Sequence, residues 1–311
     1  MPDFMHKPVM VAEVLVALRP KAGGRYADGT VGGGGHAAAV LAASAPDGWL
    51  SGCDCDGDAV AAARLRLAEF AGRWELRRAN FADLAQWIEA GSCDGVLLDL
   101  GVSSPQLDVA ERGFSFQQDG PLDMRMDARR ALTAAELVKG ASADELAKIF
   151  WEWGGERDAR RLARALVQDR EQRPFRTTRQ LAEWMERLVP RHRRSGRTHP
   201  ATKIFQALRL AVNDEVGSLK RGLDAAWTIL KPGGRLAVIT FHSLEDRLVK
   251  EFGRARARAY TFPGGTDVPE LRVPRTPEAV WVTRKALQPD AVERAENPRC
   301  RSAQLRVLEK L

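Results

Sequence analysis

Short runs of apolar residues alternate with amphipathic stretches at both ends of the chain. The candidate strands are Arg25–Asp28, Trp49–Asp54, Trp74–Arg78, Asp94–Leu100 and Arg235–Thr240. Helices are predicted between the first four, at Ala37–Ala45, Asp58–Gly72 and Phe81–Ala90. This β-α-β-α order predicts a Rossmann-like α/β fold, a mostly parallel sheet with helices on both faces. Near the end of the chain, Ala279–Thr283 and Ala303–Leu308 alternate like edge strands.

The pattern changes in the middle of the chain, where no strand-like run occurs from Leu132 to Pro190. Helix-start signatures of the capping-box type appear instead, at Thr133-x-x-Glu136, Ser142-x-x-Glu145 and Thr177-x-x-Gln180. Two long helices, Ala201–Val212 and Val216–Leu230, then lead back to the sheet. We therefore predict a sheet domain of residues 1–110 and 213–311, interrupted by an all-helical insertion of residues 111–212. Trp151 and Trp153 are expected to pack inside this insertion.

The composition is that of a soluble globular protein, with 44% hydrophobic and 29% charged residues among 311. No window approaches 18 uninterrupted apolar residues, and the first residues lack the order of a signal peptide. The four cysteines are scattered without a CxxC pair, as is usual in a reducing compartment. These features predict a cytoplasmic protein with no membrane association and no metal site.

Arginine is concentrated in the predicted insertion. Residues 157–197 contain thirteen arginines, no lysine and five acids, whereas the whole chain carries a net charge of +7. A solvated helix face is the usual explanation of a charge run. The guanidinium group, however, pairs phosphate in a bidentate manner, and arginine alone is used here. We expect this segment to dock RNA, with the densest candidates at Arg191, Arg193, Arg194 and Arg197.

A glycine loop follows the first predicted strand, in the segment Asp28–His36 (DGTVGGGGH). Glycines there let the backbone approach a ligand, and the helix that follows offers free amides. The segment matches the dinucleotide fingerprint, with Asp54 located 22 residues after Gly32, so a nicotinamide oxidoreductase is one candidate. Asp28 favours S-adenosylmethionine instead, because a carboxylate at that position would receive the ammonium of a methionine moiety and repel a diphosphate.

The loop after the fourth strand faces the same crevice, because ligands of open α/β sheets bind beyond the carboxyl ends of the strands. Asp99, Ser103 and Ser104 are candidates for positioning an exocyclic base amine, whose delocalised lone pair needs hydrogen-bond acceptors around it. Methylation of ring carbon 5 requires a cysteine nucleophile in this loop, and the loop has none. The residues therefore favour methylation of an amine.

Together these segments resemble the bacterial RsmH (MraW) family. The resemblance is carried, over nearly the whole chain, by residues 28–36 (DGTVGGGGH), 99–106 (DLGVSSPQ), 111–116 (ERGFSF), 120–127 (GPLDMRMD), 199–209 (HPATKIFQALR), 231–235 (KPGGR), 241–247 (FHSLEDR) and 297–302 (NPRCRS). It implies a class I methyltransferase core with a helical insertion, acting on the N4 amine of a cytidine in the decoding region of 16S ribosomal RNA.

The resemblance also implies which residues contact S-adenosylmethionine. Beside Asp28, they are Gly34, Gly35, His36, Asp54, Phe81, Asp99 and Gln106. His242 follows the predicted strand Arg235–Thr240 at the edge of the crevice, and it either forms a hydrogen bond with the RNA base or braces its loop. The rival functions are a nicotinamide oxidoreductase, a non-catalytic RNA-binding factor, and a methyltransferase for small molecules or proteins. The oligomeric state, a homodimer included, stays open, as does free RNA against the assembled ribosomal subunit as substrate.

Overall fold

The computed structural model describes residues 8–189, 199–264 and 266–311. The chain divides into two compact units, the first formed by Met1–Gly101 with Gly217–Leu311 and the second by Val102–Val216. The expected boundaries were 110/111 and 212/213. The first division lies earlier because the short helix that follows the fourth strand belongs to the second unit. The second division lies in the first turn of a long helix that begins at Glu215.

Unit 1 contains one seven-stranded sheet. Its strands are β1 (Arg25–Asp28), β2 (Trp49–Asp54), β3 (Trp74–Arg78), β4 (Cys93–Asp99), β5 (Leu230–Thr240), β8 (Ala279–Trp281) and β9 (Gln304–Lys310). The order across the sheet is β3-β2-β1-β4-β5-β9-β8. The first five strands are parallel, and β9 is antiparallel to both β5 and β8. The predicted Rossmann-like α/β fold is therefore confirmed.

The helices of unit 1 lie between these strands in the chain. They are α1 (Val11–Leu18), α2 (Gly35–Ala43), α3 (Gly57–Arg66), α10 (Glu215–Ile229, from Gly217 onward), α11 (Ser243–Ala257) and α12 (Ala291–Glu296). The helix predicted at Phe81–Ala90 is wrong in type, because Phe81–Gln86 forms a 3₁₀ segment after the Asn80 cap. Within the described residues, no helix is long and apolar enough to cross a membrane.

Alternate residues of the strands supply two separate hydrophobic clusters. On β4, Leu97 joins a cluster with residues of α1, α2 and α3, and the neighbouring Leu98 joins a second cluster with residues of α10 and α11. Both leucines are at most 2% exposed. Because successive side chains of a strand point to opposite faces, the apolar run in β4 fills both layers, as expected for a central parallel strand.

The position of β9 corrects one expectation. Ala303–Leu308 was predicted as an edge strand, but β9 lies between β5 and β8 and its Leu305, Val307 and Leu308 are buried. Alternation alone cannot distinguish these positions, because an interior strand at an antiparallel end of a sheet keeps one partly solvated face. The edge at this end is the three-residue strand β8. A separate ribbon, β6 (Tyr260–Thr261) with β7 (Val273–Pro274), completes unit 1.

Unit 2 is helical, with α4 (Ser104–Asp108), α5 (Ala134–Gly140), α6 (Ala143–Glu152), α7 (Ala159–Gln172), α8 (Thr178–Leu188) and α9 (Thr202–Asn213). The helix starts at Ser142 and Thr177 are complete capping boxes, whereas at Thr133 the hydroxyl alone takes part. A single apolar cluster holds the helices together, with Phe150, Leu166, Trp184 and Leu208 each at most 2% exposed. Trp153 packs on this cluster, but the expectation for Trp151 is wrong, since it is 61% exposed.

A buried asparagine fixes the irregular segment before α5. Asn213, at the end of α9, donates from Nδ2 to the carbonyl oxygens of Met124 at 2.7 Å and Arg209 at 3.0 Å. Its Oδ1 accepts the Met126 amide at 2.8 Å. Met124 has a left-handed backbone with φ of 63°, which is unfavourable for a methionine and is held in place by these bonds.

We predict that Asn213→Ala lowers the free energy of unfolding by about 2–4 kcal/mol, because several buried backbone groups lose their partners. Urea denaturation followed by circular dichroism measures this change. Gln168→Ala, at an exposed position of α7, is the control and should cost less than about 0.5 kcal/mol. Equal stability of the two variants would contradict the structural role of Asn213.

Candidate functional site

The chain leaves β1 to build β2 and β3 on one side and then returns to place β4 on the other side of β1. This reversal is the topological switch point, where open α/β sheets bind ligands. Asp28 ends β1 and Asp99 ends β4, so two predicted site residues lie beside each other there. The Thr30 hydroxyl joins the two ends, because Thr30 Oγ1 accepts the Asp99 amide at 2.6 Å.

The glycine loop passes close to its surroundings at the positions where glycine is required. A Cβ on Gly29 would lie 2.6 Å from the Leu98 side chain, and one on Gly34 would lie 3.2 Å from Ala63 Cα. Gly34 also has a φ of 79°, in the left-handed region. It precedes α2, for which the described residues supply no side-chain cap. The first amides of α2 therefore have no competitor from a side chain for an incoming ligand.

Asp54 at the end of β2 holds this loop in position. Its Oδ2 accepts the Gly32 amide and its Oδ1 accepts the Asp56 amide, each at 2.9 Å. Burial raises the pKa of the Asp54 carboxyl to about 6, against the opposing effect of these two bonds. The acid predicted from its distance to the glycines thus has a structural task as well, because it fixes the loop that precedes α2.

Three side chains of the switch point hold polar atoms that lack partners among the described residues. Asp28, 2% exposed, uses Oδ1 to accept the Thr30 amide at 3.0 Å, while its Oδ2 is unpartnered. Oδ1 of Asp99 and both ring nitrogens of His36 make no hydrogen bond, although His36 Nε2 lies 3.5 Å from Asp99 Oδ2. Buried polar groups are normally satisfied, so this concentration indicates a place for a ligand.

Burial and mutual attraction set the charges of this group. Burial raises the pKa of Asp28 to about 6, and the neighbouring His36 opposes that rise. Burial alone would lower the pKa of His36, but the carboxylates of Asp99 and Asp28 outweigh it and the pKa is raised. Two carboxylates around one imidazole leave the cluster anionic near neutral pH, which suits a cationic ligand group.

S-adenosylmethionine fits these residues. Its ammonium and sulfonium are cations that match the unpartnered oxygens of Asp28 and Asp99. Its carboxylate matches the first amides of α2, and the Asp54 carboxylate retains acceptor capacity for ribose hydroxyls. Packing requires glycine at position 35, because a Cβ there would lie 2.7 Å from Pro8 Cγ.

Phe81 is held at the next strand end. Asn80 caps the 3₁₀ segment by accepting the Ala82 amide at 2.9 Å, and its Nδ2 donates to Ser218 Oγ at 3.0 Å. The Phe81 ring packs against Gly222 of α10, where a Cβ would lie 2.1 Å from the ring. Glycine at 222 therefore gives the ring its place, and the contact of Phe81 with the cofactor stays a prediction.

Ser103 and Gln106 form a reciprocal cap in unit 2. Gln106 Oε1 accepts the Ser103 amide at 3.0 Å, Ser103 Oγ accepts the Gln106 amide at 3.5 Å, and Ser104 is the first residue of α4. Gln106 is 6% exposed. The loop motif thus has a local structural explanation, while its roles in amine positioning and cofactor binding stay predictions.

His242 begins α11. Its Nδ1 accepts the Glu245 amide at 3.4 Å, its Nε2 lies 3.0 Å from Glu245 Oε1, and Glu245 Oε2 accepts the Phe241 amide at 2.8 Å. These contacts show that His242 braces its loop. A hydrogen bond from His242 to an RNA base stays a prediction. The arginines at 191, 193, 194 and 197 lie outside the described residues.

Sequence reasoning missed Thr30, Asp56 and Glu245. Thr30 gives no recognisable signal, because a threonine in a glycine-rich turn is common. Asp56 precedes α3 and caps it by accepting the Asp58 amide at 3.1 Å, a signature that could have been found. The box of His242 with Glu245 escaped notice because histidine is not among the usual N-cap residues. Within the described residues, no cluster of metal-ligand side chains is present.

Comparisons with known families and with related sequences all point to methyltransferases. The model of the MraW methylase family matches residues 3–311. A ribosomal RNA small subunit methyltransferase H from Syntrophotalea carbinolica is 51% identical, covering 99% of this chain and 98% of its own. Proteins of the same name from Citrifermentans bemidjiense and Symbiobacterium thermophilum are 51% and 50% identical and are covered over 100% and 97% of their lengths.

We predict that Asp28→Asn stabilises the ligand-free protein above pH 6 and abolishes binding of S-adenosylmethionine. A buried carboxyl with a raised pKa contributes stability below its ordinary value of 3.8, and this contribution is lost as the pH rises through about 6. Removing the charge should therefore add of the order of 2 kcal/mol at pH 8 and nothing at pH 3.5. Thermal denaturation at both pH values and titration calorimetry measure the two effects.

The control for this variant is Glu69→Gln, an exposed acid of the 3₁₀ segment Leu67–Phe70 that is not part of the cluster. It should leave both stability and cofactor heat near wild type. Unchanged binding of S-adenosylmethionine by Asp28→Asn would remove the premise that this carboxylate holds the ammonium.

We predict that His242→Ala lowers the thermal stability that the N-cap of α11 provides, and that His242→Asn retains it. Asn is a good N-cap, so His242→Asn should keep thermal stability, whereas His242→Ala should lose about 1 kcal/mol. Melting temperatures of the two variants test the bracing role. A fall of methylation in His242→Asn without loss of stability would show that the ring also contacts the substrate.

Proposed function

The chain belongs to the MraW methylase family, and we propose that it methylates the N4 amine of a cytidine in the decoding region of 16S ribosomal RNA. The resemblance seen in the motifs is confirmed, as are the class I methyltransferase fold and S-adenosylmethionine as methyl donor. Its relatives are named as methyltransferases of small-subunit ribosomal RNA. The observation that carries the proposal is the anionic group of Asp28, His36 and Asp99 at the switch point.

The residues that hold the cofactor are assigned by charge. S-adenosylmethionine, when bound, supplies an electrophilic methyl group on a positively charged sulfur. Asp28 receives the ammonium with its unpartnered Oδ2, the amides of Gly35 and His36 face the carboxylate, and Asp54 receives the ribose hydroxyls. A dinucleotide would bring a diphosphate to the same carboxylates and be repelled, which is why the nicotinamide alternative is abandoned.

The chemical difficulty lies in the cytidine amine, because its lone pair is delocalised into the ring. Asp99 Oδ1 is buried and has no hydrogen-bond partner among the described residues. It accepts a hydrogen bond from one N–H of the amine, and this bond localises the lone pair on nitrogen. As the methyl group is transferred, the same oxygen receives the proton that the amine loses. His36 Nε2, 3.5 Å from the other oxygen, orients this carboxylate. Ser103 and Ser104 remain proposed helpers in placing the amine. Catalysis is therefore mainly a matter of position.

The cysteines argue against methylation of carbon. That reaction needs a thiolate to attack the ring, and burial raises the pKa of the thiols of Cys53, Cys93 and Cys300. Each of these three is also at most 2% exposed. The described residues thus provide carboxylates at the switch point and hold these thiols in the core, the arrangement expected for amine methylation.

The RNA partner is proposed from charge. The insertion, residues 111–212 in the sequence division, would dock 16S ribosomal RNA through Arg191, Arg193, Arg194 and Arg197, with His242 at the base. The partner is either free RNA or the small ribosomal subunit. The rival of a non-catalytic RNA-binding factor has the same charge, so it is distinguished only by whether a methyl group is transferred.

One labelling experiment tests the proposal. The protein is incubated with tritiated S-adenosylmethionine and with small ribosomal subunits or free 16S RNA, and the RNA is digested to nucleosides for chromatography. We expect the label in N4-methylcytidine, and none with Asp28→Asn. Label in 5-methylcytidine or in a methylated purine would overturn the amine assignment. Cofactor binding without label in any RNA would favour the non-catalytic rival.

A further inference from the structure

Helix α7 carries an arginine face. Arg160, Arg161 and Arg164 are exposed and share one side of the helix, and Arg157 precedes its N-cap. The opposite side is formed by the buried Leu162, Ala163 and Leu166. Arg161 pairs with Asp158 at 3.3 Å. Within the described part of the chain, Arg157, Arg160 and Arg164 have no acidic partner.

Arg160 and Arg161 lie in the first turn of α7, where a helix disfavours cations, and Arg164 follows one turn later. The amino end of a helix carries partial positive charge, which attracts acids and repels cations. Helix α6, in the same unit, follows that rule with Asp144 and Glu145 in its first turn and a complete Ser142 cap. Helix α7 has no acid in its first turn, and Asp158 makes no side-chain cap. Such a local violation is expected where function requires it.

An exposed tryptophan lies at the same end of the helix pair. Trp151, 61% exposed, is in the last turn of α6, and its carbonyl oxygen accepts the Gly155 amide at 3.2 Å in the turn that leads to α7. Trp153, two residues later, packs on the core instead. Proteins bind unpaired bases and phosphates together by combining an exposed aromatic ring with arginines, and the turn from α6 to α7 joins the two here.

We propose that the α7 arginine face and Trp151 form a docking surface for RNA. Arg157, Arg160 and Arg164 contact phosphates, and Trp151 stacks on an unpaired base. The proposal rests on RNA being the substrate, as proposed above. Charge complementarity selects the partner, because a row of unpaired guanidinium groups at the positive end of a helix is self-repelling until a polyanion covers it.

The double variant Arg160→Glu with Arg164→Glu separates docking from folding. Arg160 lies in the first turn of α7, where an acid is favourable, and Arg164 is an exposed position one turn later, so the melting temperature should stay near that of the wild type. Affinity for 16S RNA, measured by filter binding, should fall roughly tenfold, and the dependence of log affinity on log salt should flatten by about two. Binding of S-adenosylmethionine and kcat with saturating RNA should stay at wild type, while KM for RNA rises.

The matched control is Lys220→Glu with Arg254→Glu, which makes the same charge change at exposed positions of α10 and α11, outside the arginine-rich segment of residues 157–197. Its RNA affinity should fall less than twofold. Equal losses in the two double variants would show a general charge effect and overturn the docking surface. Unchanged binding of free RNA with lost binding of whole ribosomal subunits would mean that the face meets a protein, which also overturns it.

Trp151 is tested by a conservative pair. Trp151→Ala should raise KM for RNA several-fold, and Trp151→Phe should restore most of the loss because the ring can still stack. Equal KM values in both variants and wild type would remove the stacking contact. If wild-type protein labels no RNA, the proposed function fails. If it labels cytidine and Arg160→Glu with Arg164→Glu keeps the same KM, only the docking surface fails.

Discussion

The candidate site of unit 1 depends on a carboxylate that is buried away from water. Asp28 ends the strand around which the sheet reverses its order, and one of its oxygens is left without a partner. A buried negative charge is unfavourable, as the rise of its pKa to about 6 shows. Asp28 stays buried despite this cost because β1 is hydrogen-bonded to β2 on one side and to β4 on the other. A cationic ligand group beside Asp28 would favour the charged carboxylate and so offset this cost.

Much of this unit could be predicted from the sequence. β1, β2 and β3 have the bounds that the apolar runs indicated, and Asp28, the glycines and Asp54 occupy neighbouring strand ends as expected. These succeed because strand, turn and helix start are local signals. The same reasoning failed for β9, whose interior position is decided by its partners, and for Phe81–Gln86, where the Asn80 cap starts a tighter helix than the periodicity suggested.

The site was predicted less completely, because its residues do double work. Asp54, which is predicted to bind a ribose, also holds Gly32. His242, which is predicted either to bond a base or to brace its loop, caps α11. Loss of function at such positions reports local geometry together with ligand contact. A sequence motif identifies a functional residue but not the backbone groups that the same side chain also binds. Thr30, whose hydroxyl links the ends of β1 and β4, belongs to no motif that would have identified it. The exposure of Trp151 was similarly invisible, because periodicity does not reveal which aromatic of a pair meets the core.

The place of β9 has a consequence for how the molecule is made. A ribosome releases a chain from its amino end, and domains generally fold as they emerge. Unit 2 is a continuous segment and can fold as soon as it emerges. The sheet of unit 1, in contrast, needs β9, which begins only at Gln304 and lies between β5 and β8. Until β9 has been synthesised, β5 presents an open edge that invites wrong pairing. The strands that end in Asp28 and Asp99 therefore belong to a sheet whose order is completed by a segment made long after them.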